Sequence, residues 1–568
     1  MTHPLLQALQ QLEVGIGSIS FVDGSKVSLP KSGVLAIIGP NNTGKSSCLR
    51  DLFRRLRGNP GERSPVSSIQ VDWHQADHEI DAIFSEYKQP DGSIDFNFHE
   101  VTYGTIKRLR EVNGASLGPG LAAHIVTYLV PEGRQAECSP PPTFDARAQT
   151  SPGHPFQKMF RDPALERRVS DAFKEAFKQE LVVHRANSKT IPVYVGDRPQ
   201  RQPSEEFNSL AYLDRVEALA PLESQGDGIR AYASIVSRTI TENSAIILID
   251  EPEAFLHPPQ AKLLGKHIAP ADRAMQTIVA THSTDVLQGL LSARFGTTDV
   301  VRLARSNNKI TVRHLPADRV AALWRDPILR FSKCLDGLFH DGVVICEAEA
   351  DCRFYEALVD NSIPATDRPD VHYTYSGGKD RLPVVIAALA GLGVPVSTIV
   401  DCDVLNNEQP LRRIVEASGG AWTDYAADWV LVKDAVEQRG VHLTAPAFAR
   451  ELRNVADQLP LSGAVAREIL ARIKKMTRNA SPWDTVKDGG VANVPKGEPT
   501  LAAERLLAAL AHIGVFVVPC GEMEGFFRNT TAHGNRWVEE VLQMDLAIDP
   551  KLSAARSFVK QVLARLGQ

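Results

Sequence analysis

Apolar residues along this chain gather into short, nearly unbroken runs, several of which end at a glycine or an acid. In the first half such runs are residues 34–38 (VLAII), 245–249 (AIILI) and 277–280 (TIVA). Runs this apolar fit strands buried on both faces, as in a parallel sheet, better than the alternation of a half-exposed strand. The spacing over 46–56, directly after the first run, predicts a helix. Further on, 343–346, 371–375 and 396–400 read as strands, with helices at 351–358 and 381–392 between them, and 515–519 returns as a strand. That alternation predicts a second parallel sheet with helices on its faces. Residues 410–512 are polar-amphipathic and read as helical, 464–475 included, so they form a helical insertion within the second sheet. Residues 59–201 mix proline, glycine and charge clusters, and 140–142 with 145–155 read as a loop or linker. The chain changes character near 318–338, and neither an internal repeat nor a low-complexity tract interrupts it.

At 568 residues the chain exceeds one ordinary core and calls for two to four domains. An apolar share of 43% with 23% charged residues is that of a soluble globular protein. No window approaches a membrane span, and residues 1–12 lack a secretory pattern. The seven scattered cysteines form no CxxC pair, which favours a reducing cytoplasm and argues against a structural zinc site. The net charge of −5 gives no general basic surface, so contact with nucleic acid would need a local patch or metal ions bridging carboxylates to phosphates.

Two constellations carry chemistry. The first is Gly39-Pro40-Asn41-Asn42-Thr43-Gly44-Lys45-Ser46, with Ser47 after it, set between a strand and a helix. This is the context a phosphate-binding loop needs: backbone N–H groups of 41–46 cradle phosphates, Lys45 reaches the β- and γ-phosphates of ATP, and Ser46 ligates Mg²⁺. Asp250-Glu251 closes the run 245–249. There Asp250 would hold Mg²⁺ through water and Glu251 would polarise the attacking water. A solvated acidic pair capping a strand is the plainer reading.

The second constellation is acidic. Glu347 ends the strand 343–346, Asp351 opens the next helix, and Asp401 and Asp403 follow the strand 396–400. Strand alternation would point Asp401 and Asp403 the same way. Glu522 and Glu524 repeat the spacing after 515–519. Carboxylates delivered to one sheet edge suit divalent ions, Mg²⁺ or Mn²⁺, in phosphodiester chemistry. Acids favoured at helix starts are the alternative for Glu347 and Asp351. Lys379, in Ser376-Gly377-Gly378-Lys379, would touch a phosphate or stand solvated. Lys474, Lys475, Arg478 and Lys487 are candidate basic partners or an ordinary solvated helix face.

The segment Ile249-Asp250-Glu251-Pro252-Glu253-Ala254-Phe255-Leu256-His257-Pro258 resembles the Walker B region of ABC-type ATPases. Thr281-His282-Ser283 is similar to their switch histidine. Glu223-Ser224-Gln225-Gly226-Asp227-Gly228 resembles a degenerate signature motif, or else forms a serine-glycine turn capping a helix. The resemblance implies that His282 contacts the γ-phosphate and that Ser224 and Gly226 complete the ATP site of a second copy. The glutamate followed later by Asp-x-Asp resembles a Toprim domain, although Ala348 and Ala350 replace its usual glycine pattern. The order of the two is similar to the OLD family of ATP-dependent nucleases, which includes the Gabija antiphage nuclease. The expected fold is thus α/β: an ABC-type ATPase domain over 1–320, with an inserted and dimerising arm near 59–205, then a Rossmann-like Toprim domain over 335–568 with a helical insertion near 410–512. The resemblance implies an ATP-regulated DNA endonuclease acting on double-stranded DNA. It also implies assembly of copies through the ATPase domain, with a helicase-like or other defence partner and no membrane. The competing expectation is a DNA-sensing or repair ATPase of the RecF or SMC type without strand scission. A topoisomerase or primase ranks last; a topoisomerase would need a positioned nucleophilic tyrosine in another domain, but Tyr355, Tyr373, Tyr375 and Tyr425 lie inside the acidic region and no separate breakage domain is visible.

Overall fold

The computed structural model describes residues 4–566 apart from 62–63, 112–113, 144–152, 187–188, 203–204, 207–208, 269–274, 307–308, 326–332, 439–444, 460–464, 466, 471–472, 474–481 and 531. The chain forms two compact units, Met1–Phe331 and Ser332–Gln568.

In the first unit the strands are β1 (Val14–Phe21), β2 (Lys26–Ser28), β3 (Gly33–Ile38), β4 (Val66–Trp73), β5 (Asn97–Phe98), β6 (Val101–Thr102), β7 (Val126–Leu129), β8 (Glu180–Val183), β9 (Val193–Gly196), β10 (Ala220–Pro221), β11 (Ile246–Asp250), β12 (Gln276–Ala280), β13 (Thr298–Ser306) and β14 (Lys309–Leu315). The main sheet has the order β14-β13-β3-β12-β11-β7. It is parallel except for the hairpin of β13 with β14. Every residue of β3, β11 and β12 is buried, the pattern expected of central strands covered on both faces. Leu35, Ile37, Leu248 and Ile278 pack with Leu49, Leu52 and Leu56 of the helix Lys45–Leu56 in one core. Each such side chain contributes ~1.5–3 kcal/mol on burial. That core fixes the first turn of the helix against the ends of β3 and β11.

The interval 59–205, expected to hold an inserted arm, is built into the unit at two points. Strand β4 pairs antiparallel with β1, and β7 closes the edge of the main sheet beside β11. Pairing between segments tens to more than a hundred residues apart leaves no local signature in sequence, so the interval reads as irregular when it is partly core.

The second unit holds β15 (Gly342–Cys346), β16 (Val371–Tyr375), β17 (Val396–Val400) and β18 (Val515–Val517), all parallel, in the order β16-β15-β17-β18. The chain leaves β15 to one side for β16 and returns to its other side for β17. The strand order therefore reverses at β15, and such a reversal opens a crevice at the carboxyl ends of the two strands. Between β17 and β18 come the helices Glu408–Ala417, Thr423–Gln438, Ala445–Ala456, Trp483–Gly489 and Glu498–His512. Of the expected helix over 464–475, positions 467–470 and 473 are helical and most others lie outside the described residues. A separate core of Val344, Phe354, Leu358, Ile399, Phe516, Trp537 and Phe558 supports the sheet. Among the described residues no helix is long and apolar enough to cross a membrane.

Candidate functional site

The first site forms where β3 runs into its helix. Gly39 has φ 139°, and a Cβ there would lie 2.0 Å from the Leu303 carbonyl oxygen, so glycine alone fits. Asn42 and Gly44 are both left-handed, with φ 60° and 94°, which winds the loop into a backbone concavity. Gly44 caps the helix without a side-chain bond, leaving the first N–H groups facing outward from the helix start. Thr43 Oγ1 donates to the Pro40 carbonyl at 2.9 Å. Lys45 is buried and folds back over the loop, with Nζ donating to the carbonyls of Gly39 and Pro40 at 2.8 Å each. Burial pulls its pKa down, opposed by the charges of Glu253, Glu251 and Asp250. Ser46 is half-buried, while Asn41 and Ser47 are exposed.

Asp250, the last residue of β11, is 3% exposed. Burial pushes its pKa up to about 6; the Ser46 hydroxyl bonded to it acts the other way, and Glu251 raises it further. Asp250 Oδ1 is buried with no hydrogen-bond partner. A buried carboxylate oxygen without a partner is costly, and a bound cation would satisfy it. Beside it Ser46 supplies a second oxygen, so the pair fits the hard-oxygen preference of Mg²⁺. Glu251 follows at φ 45°, and its N–H donates to Ala280 O at 2.9 Å.

Sequence reasoning missed two residues here. Glu253, also buried, accepts from the Thr281 hydroxyl and from the His282 N–H, both at 2.8 Å, and lies 3.2 Å from His282 Nδ1. It ties the loop after β11 to the loop after β12 and holds the half-exposed His282 in place. It stands inside the Asp250–Pro258 segment, so the signal was present but carried no assigned role. The other is Arg134, which no local pattern distinguishes. Its guanidinium donates to main-chain carbonyls of Asp250 and Glu251. Ser224 and Gly226, by contrast, are exposed at the start of the helix Asp227–Thr241, where Ser224 Oγ donates to the Pro221 carbonyl at 2.8 Å. No described contact joins them to the phosphate loop.

The second site lies at the carboxyl ends of β15 and β17. Glu347, Asp401 and Asp403 each offer a carboxylate oxygen, and these oxygens lie within 4.8 Å of one another. The route differs from the expected strand alternation. Strand β17 ends at Val400, and Asp401 and Asp403 sit on a 3₁₀ turn spanning Cys402–Asn406. The turn is pinned by Cys402 N–H donating to Gly521 O at 2.7 Å and by Asp401 N–H donating to a Glu347 oxygen at 3.1 Å. Tight winding, not pleating, brings the two aspartates to one side.

Burial pushes Asp401 up to about 8, reinforced by Glu347, Asp351, Asp403 and Glu522. Burial likewise lifts Glu347 to about 7, with Lys379 opposing. Asp351 rises to about 6 by burial, although its carboxylate caps the helix by accepting from Ala348 N–H at 2.9 Å. Asp351, Glu522 and Glu524 stand outside the three-carboxylate group. Glu522 Oε2 lies 3.5 Å from Lys487 Nζ, and Glu524 accepts from Gly534 N–H at 2.7 Å. Lys379 pairs with Asp403, and Lys487 lies 3.9 Å from the same carboxylate. Burial lowers Lys487, but Asp403, Glu522 and Asp401 together hold its pKa up. Lys474, Lys475 and Arg478 lie outside the described residues. An all-oxygen set of mutually repelling carboxylates fits a hard divalent ion such as Mg²⁺ or Mn²⁺.

Residues 134–287 match the model of the family described as "AAA domain, putative AbiEii toxin, Type IV TA system". The first unit thus contains a segment similar to that AAA domain. The matched segment runs from Arg134 past Thr281-His282-Ser283 and covers about a quarter of the chain. No curated protein matches the chain. Among solved structures, the Smc head domain bound to the C-terminal domain of ScpA, from Pyrococcus furiosus, is similar at 11% identity and TM-score 0.34, covering 55% of this chain and 99% of that one. The SMC head domain of Thermotoga maritima matches at 14% and TM-score 0.26, covering 53% and 97%. The cbiO1 subunit of the Clostridium perfringens cbiONQ transporter matches at 14% and TM-score 0.27, covering 56% and 96%. At these scores nothing those proteins bind or do is carried over.

Proposed function

We propose that this protein is a metal-dependent DNA endonuclease or nickase, of the ABC-ATPase-plus-Toprim kind, regulated by ATP binding or hydrolysis and serving antiphage defence or DNA processing. The observation that carries the reading is the convergence of Glu347, Asp401 and Asp403 at the strand-order reversal of a parallel sheet. Bound Mg²⁺ or Mn²⁺ would lower the pKa of water and stabilise charge on the reacting phosphate oxygens. The three carboxylates would hold the ion, and the backbone N–H of Asp401 would keep Glu347 turned toward it. Lys379 and Lys487, freed from Asp403 once the carboxylates are neutralised, would meet the phosphodiester. Asp351, Glu522 and Glu524 would extend the acidic rim. In the ATPase domain the loop 39–47 would cradle ATP, with Asp250 and Ser46 toward Mg²⁺, Glu251 toward water and His282 toward the γ-phosphate. Ser224 and Gly226, exposed as they are, would serve the ATP site of a second copy.

The test uses supercoiled and linear plasmid with Mg²⁺ or Mn²⁺, with and without ATP, beside Asp401→Ala. Scission lost in that variant supports the nuclease, and the ATP lanes give the sign of regulation. Scission unchanged in Asp401→Ala rejects the site. No scission with any metal, alongside intact ATP hydrolysis, favours a DNA-sensing ATPase of the SMC type.

A further inference from the structure

The segment after β7 places a cation where the nucleotide chemistry above makes no use of one. Arg134 is only 3% exposed although its guanidinium is always charged. Its Nη1 donates to Glu251 O at 2.9 Å and its Nη2 donates to Asp250 O. Its Nε is buried without a partner. Burial works against the charge, and the carboxylates of Glu253, Asp250, Glu251 and Glu132 offset it. Burying a guanidinium this way is costly, and an apolar side chain would fill the space at less expense. What the arginine adds is a planar fork that can hold two successive carbonyls at once.

The peptides it holds are strained. Glu251 has φ 45°, a left-handed conformation that side chains other than glycine rarely adopt. On its amino side, Glu251 N–H donates to Ala280 O at 2.9 Å. On its carboxyl side, Glu251 O accepts from Arg134. Both peptide planes flanking the Glu251 Cα are thereby pinned. With φ and ψ fixed, the direction of the Cα–Cβ bond is fixed, and so is the region the carboxylate can reach. Two residues on, Glu253 is locked by Thr281 and His282, so the clamp has a rigid far end.

We infer that Arg134 is a positioning residue for ATP hydrolysis, clamping the Asp250 and Glu251 carbonyls so that the Glu251 carboxylate faces the attacking water. The inference rests on the ATPase reading of the first unit. It assigns Arg134 no contact with ATP, so its removal should slow turnover and spare affinity.

The experiment compares wild type with Arg134→Lys and Arg134→Ala in the full chain, with Lys45→Ala as the reference that does not bind. Melting temperature, ATP affinity, kcat and KM, and amide exchange at Glu251 are measured. Arg134→Lys keeps the charge but loses the fork. It should melt near wild type, bind ATP within about threefold, and lose kcat by about 100-fold, the scale set by a small misplacement of a reacting group. Exchange at Glu251 should rise. In Arg134→Ala, added methylguanidinium should restore part of the lost kcat and methylammonium should not; this arm stands even if the variant is less stable. A folded lysine variant with half or more of wild-type kcat overturns the inference. So does an equal loss in kcat and affinity, unchanged exchange at Glu251, or rescue by both amines alike. Wild type without Lys45-dependent turnover would sink the ATPase reading and this inference together; turnover unaffected by the variants sinks this inference alone.

Discussion

The two sites sit in the same place on their sheets yet balance charge in opposite ways. In the first unit the acids Asp250, Glu251 and Glu253 share their surroundings with two buried cations, Lys45 and Arg134, both tied to backbone carbonyls. In the second unit Glu347 and Asp401 are held high by burial and by each other, and the lysines facing them are partly exposed side chains paired with Asp403. The first arrangement holds its shape through cations of its own. The second carries an excess of negative charge that an ion would relieve. A site built to receive an anion such as a phosphate carries its positive charge in the protein, and a site built to receive a cation leaves its negative charge uncompensated.

The strongest way to break this comparison is to exchange the losses. Asp401→Asn should reduce DNA scission by at least about 100-fold, since a metal site supplies several kcal/mol, and leave ATP affinity unchanged. Lys45→Ala should weaken ATP binding by a similar factor, measured by calorimetry, and leave metal binding intact. If Asp401→Asn cuts DNA normally, the acidic centre has another purpose.

Stability without metal gives the next largest effect. The folded-state pKa of Asp401 is raised to about 8, so its contribution is fully present below the ordinary carboxylate range and is lost as pH climbs through about 8. At pH 8 in chelator, Asp401→Asn should therefore stabilise the second unit, by about 1–2 kcal/mol. It should also abolish the gain of about 2.7 kcal/mol expected from metal at 100 times its Kd. Asp250→Asn, with Lys45 and Arg134 nearby, should gain less. Equal gains at the two positions would undo the contrast, and differential scanning calorimetry would read them.

A smaller effect separates the acids within the first unit. Glu253→Gln keeps the shape but weakens the bonds to Thr281 and His282, so kcat for ATP should fall about tenfold with KM unchanged. A variant with full turnover would remove Glu253 from the positioning network.

The smallest effect lies outside both sites. His154 caps the helix Pro155–Arg161, where Nδ1 accepts from Phe156 N–H at 3.2 Å, and burial lowers its pKa. A lowered folded-state pKa means the contribution is present above the unfolded value of about 6.5 and is lost as pH falls through the folded one. The unfolding free energy from urea titration should fall between pH 7 and 5, by about 0.5–1 kcal/mol, and His154→Asn should flatten the profile. A slope that survives in the variant belongs to another group.

Legibility in the sequence followed locality. The phosphate loop is eight consecutive residues between a buried strand and a helix, and the structure gives it that context. The carboxylates Glu347, Asp401 and Asp403 could be picked out because they stand at or just past the ends of apolar runs. Their meeting at one sheet edge was expected, but the geometry that brings it about was not legible, because it depends on β15 lying beside β17 and on a 3₁₀ turn where alternation was expected. Asp351, Glu522 and Glu524 share the spacing of the others, but spacing along the chain sets no distance across it. Arg134 was invisible for the same reason: its partners are backbone atoms 116 and 117 residues away.

What the sequence determined by itself was therefore what short-range chemistry dictates: which runs are buried strands, where glycine permits a phosphate-gripping turn, and which acids stand at strand ends. What the tertiary structure decided was which of those acids meet, which cations face them, and that the interval 59–205 contributes β4 and β7 to the sheets. The reason is physical. Local patterns are set by dihedral preference and by which face is apolar, both written into neighbouring residues. Pairing, burial and charge balance between distant segments are set by the packing of the whole chain, and no short window of sequence contains it.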